Sequence, residues 1–195
     1  MARERTRTKV HAAALSLAGE RPVAAITMEG IAARAGVSKQ TLYRSWSSTG
    51  EILFDALLAR SLDENGRVTV PNSGDLTLDL AALATGMIDE LSDPTQERLL
   101  RAVTAELQSD DALAAQFRDA LLEPQLSGIS ERLRQARVPA PEDVAELFVG
   151  PIFHRWLLRS RPFDAEWVAA HVERVLRSAG AQGQSPKIGR LTRRS

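Results

Sequence analysis

Residues 27–53 read TMEGIAARAGVSKQTLYRSWSSTGEIL, and this stretch decides the fold. It holds two short helical patterns joined by a tight turn. Ile31, Ala32 and Ala35 give the first an apolar seam at helical spacing, and Leu42 and Trp46 do the same for the second. Thr27 and Ser38 stand where a hydroxyl can accept from the free N–H groups that open a helix. Between them, Ala35-Gly36-Val37 supplies a sharp corner. Gly36 can take a positive φ without a Cβ clash, and Val37 can plug the angle between the helices. The small side chains of Ala32 and Ala33 let the helices cross closely. The pattern predicts a helix-turn-helix.

The second helix carries the chemistry. With Leu42 turned inward, the helical period leaves Lys39, Gln40, Tyr43 and Arg44 facing out. A helix N-terminus offers free N–H groups and the positive end of a dipole, which suits a phosphate. Lys39 adds a cation there, and Tyr43 a hydroxyl on a rigid stem. Gln40 has the paired donor and acceptor that can read an adenine edge in the major groove. A solvated polar face on an ordinary helix hairpin satisfies the bare pattern as well.

The run IAARAGVSKQTLYRSW, with a helix before it and an all-helical remainder after it, resembles the DNA-binding domain of the TetR family of transcriptional repressors. The resemblance implies an all-α protein of about nine helices. A three-helix N-terminal domain would be followed by a helical domain that binds a small molecule and dimerises. It also implies that Thr27, Ser38, Lys39, Gln40, Thr41, Tyr43 and Arg44 contact DNA. Two positions depart from the family pattern. Thr49 stands where a lysine often opens the next helix, so one phosphate contact is missing, and Gly30 stands where a glutamate often closes a capping box.

Working outward, residues 1–60 hold nine basic and five acidic side chains, residues 61–180 hold twelve against twenty, and the tail from Ala181 adds four cations. A basic head on an acidic body fits a DNA binder with a separate effector domain. Arg3, Arg5 and Arg7 are expected to form a basic arm ahead of a helix over about residues 6–19, whose inward face is Val10, Ala13, Ala14, Leu17 and Ala18. Domains are expected at residues 1–48 for the head and 49–180 for the effector and dimerisation part, with a disordered basic tail over 181–195.

Helical periodicity places elements at about residues 49–62, 75–91, 94–108, 111–137, 141–159 and 164–178, with a loop over 63–74. Pro124 is expected to kink the fourth of these. The last two helices, about residues 141–178, carry Trp156, Trp167, Phe148 and Phe153 and are expected to form the homodimer interface that the family uses. Dimerisation also lets one short recognition helix act on both halves of a palindromic operator in double-stranded DNA. Candidate residues for a small-molecule effector are Leu83, Met87, Val103, Leu107, Phe117, Leu121, Phe148 and Ile152, apolar on the inner faces; core packing explains them equally well.

Catalysis finds little support. His11, His154 and His171 are scattered and show no metal spacing, and no phosphate loop or nucleophile elbow occurs. Neither a metal nor a cofactor is expected. The chain has no cysteine, Met1–Lys9 is too polar to begin a signal peptide, and no apolar run is long enough for a membrane span. A cytoplasmic protein is therefore expected. Two other classes remain open: a helical ligand-binding or protein-interaction module without specific DNA binding, and a small helical enzyme built on His154.

Overall fold

Helix α1 (Ala2–Glu20) turns Val10, Ala13, Ala14, Leu17 and Ala18 into the core, the face that periodicity assigns to it. The computed structural model describes residues 2–61 and 68–182. Helix α1 begins earlier than expected, so Arg5 and Arg7 lie on its first turns and form no arm. The physical reason lies in α4 (Thr49–Ser61), where Asp55 accepts from Arg7 Nε at 3.0 Å and gives that turn a charged anchor. A single 3₁₀ turn at Val23–Ala25 leads into α2 (Met28–Ala35) and α3 (Lys39–Tyr43), with α4 crossing beneath.

Met28, Ile31 and Leu42 of the α2–α3 unit are buried, while Tyr43 stays open to solvent. Ile31 and Leu42 are wholly buried, and so are Ile52 and Leu57 across from them. Each such residue contributes about 1.5–3 kcal/mol when taken from water. Arg34 of α2 clamps Glu20 of α1 with two hydrogen bonds of 2.6 and 2.7 Å.

The rest of the described chain is helical. Helix α5 (Leu76–Ser92) is capped by Asp75, which accepts from Leu78 N at 3.1 Å, and α6 (Pro94–Glu106) by Asp93, which accepts from Gln96 N at 2.9 Å. Leu80, Leu83, Ala84, Met87, Ile88 and Leu91 form one buried stripe along α5. Helix α7 (Asp111–Phe117) is capped by Asp110 and runs without a break through a π turn at Arg118–Leu122 into α8 (Glu123–Gln135). Pro124 explains the wide turn. It has no N–H to give and its ring would strike the Ala120 carbonyl, so the preceding turn loosens and Glu123 N bonds to Arg118 O instead.

Helix α9 (Pro141–Leu157) packs back along α8, and α10 (Ala165–Gln182) closes on α5 and α9. Helix α10 runs four residues past its expected end. Ala181 and Gln182 are therefore helical rather than the start of a tail, and residues 183–195, where that tail was expected, lie outside the described residues. Sequence reading also missed Pro151, which sits inside α9 without ending it. Taking α7 to α8 as one rod, the described residues form nine helical rods and no strand, an all-α protein as the resemblance implied.

Two buried polar features hold the second half together. Asp79 of α5 accepts from Arg132 Nε at 2.9 Å and Nη2 at 2.6 Å, while its other oxygen accepts from Ser73 N at 2.9 Å. On α10, His171 shares a 2.8 Å hydrogen bond with the Phe148 carbonyl and stacks on Trp167, whose ring also carries the Arg155 guanidinium. Burial is the largest influence on His171 and holds its pKa below the ordinary 6.5; the Phe148 carbonyl opposes this, and the Arg174 and Arg155 charges add to it.

The unfolded chain thus binds more protons than the native one just below pH 6.5. The stabilisation from neutral His171 is complete above 6.5 and is lost as pH falls from there toward the folded-state value. The denaturant midpoint should drop on acidification through this range, and less steeply in His171→Gln, which keeps an N–H donor but cannot be protonated. An identical slope in the variant would assign the effect elsewhere.

Candidate nucleic-acid interface

The two hydroxyl caps form as expected. Thr27 Oγ1 accepts from Gly30 N at 3.1 Å, and Ser38 Oγ accepts from Thr41 N at 3.1 Å. Gly36 between them has φ 67°, ψ 37°, the left-handed conformation that only a residue without Cβ adopts freely, and Val37 N returns to Ala32 O at 3.0 Å to close the corner. With Leu42 wholly buried, the helical period presents Lys39, Gln40, Tyr43 and Arg44 to solvent, and Tyr43 is 55% exposed. Thr41 is half-buried and its hydroxyl shares a 2.8 Å hydrogen bond with Ser38 Oγ, so both hydroxyls are already engaged in forming the helix tip. Thr27 is exposed at the start of α2. Six of the seven candidate DNA contacts thus lie on α3 and its two caps, Ser38 to Arg44, and the seventh, Thr27, caps α2.

Lys39 is not the free cation that its position suggested. Glu29 of α2 pairs with it, and the hydrogen bond from Lys39 is the largest of the influences that lower the Glu29 pKa. The partner is ten residues away across the turn, which no periodicity reveals.

The tip is held to the rest of the chain by Asp55. Its carboxylate receives Arg7 and His11 from α1 and Trp46 Nε1 from the end of the reading unit, the last two at 2.9 and 3.0 Å. Half-burial alone would raise the Asp55 pKa; the hydrogen bonds from His11, Arg7 and Trp46 outweigh it and hold the group well below the usual carboxylate range. Three elements thus share one anion, and that anion sits on the helix leading into the second half. The start of α4 is fixed locally as well. Ser48 Oγ accepts from Glu51 N at 3.1 Å, and the Glu51 carboxylate accepts from Ser47 N at 2.6 Å. The Ser-Thr-Gly-Glu run at 48–51 is the capping signature that would have revealed this.

A cavity of about 380 Å³ lies between the end of α4, the segment 68–71, α5, α6, the π turn, α8 and α9. Of the eight candidate ligand residues, Leu83, Met87 and Leu121 line it. The other five do not. Val103, Phe148 and Ile152 are buried at 1% exposure or less within the core, while Leu107 and Phe117 pack against that core, Phe117 with its ring 5.8 Å from that of Phe54 on α4. The inward face of a helix holds both the side chains that fill the core and those that border a gap in it. Glu106, Gln108 and His154 are exposed. Among the described residues no cluster of three or more His, Asp or Glu is placed to hold a metal, and no helix is long and apolar enough to cross a membrane.

Comparison with known proteins agrees with this geometry. Residues 11–56 match the family described as bacterial regulatory proteins, tetR family, and residues 70–175 match the tetracyclin repressor-like C-terminal domain. The HTH-type transcriptional regulator YdeS of Bacillus subtilis is 29% identical over 172 residues, covering 85% of each chain. A DNA-binding transcriptional repressor TetR of Mycobacteroides abscessus is 29% identical, covering 77% of this chain and 80% of its own. The crystal structure of the TetR family regulator SCO0332 superposes with a TM-score of 0.69 at 28% identity, over 91% of this chain and 100% of that one. A cap–corner–cap unit with an exposed polar tip, joined to a helical body that matches along most of its length, is the shared plan: this chain belongs to the TetR family of DNA-binding transcriptional regulators.

Proposed function

We propose that the chain is a cytoplasmic, ligand-released repressor that binds a palindromic operator as a homodimer. Residues 1–48 serve as the reading head and 49–180 as the effector and dimerisation part. The observation that carries this reading is the capped helix tip with Gln40, Tyr43 and Arg44 exposed together beside a Ser38–Thr41 pair whose shared hydrogen bond leaves one hydroxyl proton to give. Gln40 reads a base edge; Thr27, Ser38, Lys39, Thr41, Tyr43 and Arg44 set the register on the phosphates. Pairing through α9 and α10 is supported on the α9 side by Leu147, Leu157 and Leu158, which leave 41, 45 and 62% of their surface open along α9 and at its C-cap.

The effector occupies the cavity lined by Leu83, Met87 and Leu121. Binding there favours a dimer whose heads no longer match half-sites about 34 Å apart, so DNA is released. The reading gives the chain no catalytic role: His11 and His171 are held by Asp55 and the Phe148 carbonyl, and His154 is solvated. Selection of bound duplexes from a random pool tests the proposal. An inverted repeat should emerge; enrichment of a single unpaired site, or of nothing, would overturn it.

A further inference from the structure

We propose that the cavity takes a lipophilic ammonium compound, an apolar body bearing one protonated amine directed at Glu90. The inference rests on the effector reading above and adds the chemistry of the ligand. Leu83, Met87, Leu91, Leu100, Leu121 and Phe153 make an apolar wall, and a volume of about 380 Å³ falls in the range of sites for small organic molecules. Met87 and Phe153 are adaptable or flat surfaces that fit varied shapes.

Against that wall stands one carboxylate, Glu90, one turn beyond Met87 on α5. It is half-buried, and one of its oxygens accepts from Ser61 Oγ at 2.8 Å. No cation among the described residues pairs with it. A carboxylate beside apolar surface gains most from a charged donor, and an ammonium group brings both charge and N–H bonds. Arg60 also borders the cavity, but it is exposed, and water screens its charge. Gly86 lines the same wall, and nothing lies within 4 Å of where its Cβ would stand, so a longer side chain there enters free space.

The test uses the full chain and three probes on one skeleton: phenylhexylamine, phenylhexanol and phenylhexanoate. Binding is measured by calorimetry and by release of operator DNA. The amine should bind about tenfold or more tightly than the alcohol, as expected for a charge-assisted hydrogen bond, and more tightly still than the carboxylate. Glu90→Gln should erase that preference and leave the alcohol unchanged. Gly86→Leu should abolish binding of all three. If the alcohol or carboxylate matches the amine, or Glu90→Gln keeps the preference, the ammonium assignment is wrong while the cavity remains the effector site. If binding survives Gly86→Leu, or none of the three binds the wild-type chain, the effector reading of the cavity fails as well.

Discussion

Arg132→Met should unfold the protein more readily than any surface change, because it leaves the Asp79 carboxylate buried with no cation and only Ser73 for company. Asp79 and Arg132 are 2 and 6% exposed, and the Asp79 carboxylate is held by the Arg132 guanidinium and by Ser73. Removing one partner of such a pair costs about 3–5 kcal/mol. For a chain of this size that corresponds to a fall of roughly 6–20 °C in the melting temperature. The double variant Asp79→Leu with Arg132→Met should recover most of the loss, since it removes the orphaned charge and returns apolar volume, and Ser73 is exposed enough for water to take its N–H. Melting curves at one fixed protein concentration decide it. A single variant within about 0.5 kcal/mol of wild type would mean that the pair is not closed off from water.

The second large effect lies in DNA recognition. A bidentate base contact discriminates by about 1–3 kcal/mol, and a two-fold dimer makes each contact twice. Gln40→Ala should therefore lose about 2–6 kcal/mol on the full operator, roughly thirtyfold to twenty-thousandfold in affinity, while binding to unrelated duplex barely changes. Competition binding at one salt concentration separates the two. Equal losses on both DNAs would show that Gln40 positions the helix and does not read sequence. Lys39→Ala should do the reverse, weakening all duplexes alike and flattening the salt dependence. Its effect is blunted by Glu29, which already neutralises part of that charge.

What sequence revealed and what it concealed divide along a physical line. Thr27, Gly36, Ser38 and Leu42 were legible because a cap, a left-handed corner and an inward leucine act on neighbours within four residues. Pro124 was legible for the same reason, and the chain answers it with a π turn. Asp79 and Arg132 were hidden because 53 residues separate them, and either alone reads as an ordinary solvated charge. Asp55 was hidden likewise, its partners lying 48, 44 and 9 residues away. The cavity was only partly legible. Helical phase assigns Met87 and Phe148 alike to the interior, and only the fitted packing tells which of them borders empty space.

The three indoles stand at chemically different stations. Trp46 donates to the Asp55 carboxylate, Trp156 lies buried under the Arg101 guanidinium, and Trp167 stacks on the His171 imidazole. Replacing the latter two by Phe leaves a single indole beside an anion in the N-terminal half, excited apart from Tyr43 at the red edge of its absorption. Its colour and lifetime would then follow, without any attached dye, whether that half stays seated while DNA or an inducer comes and goes.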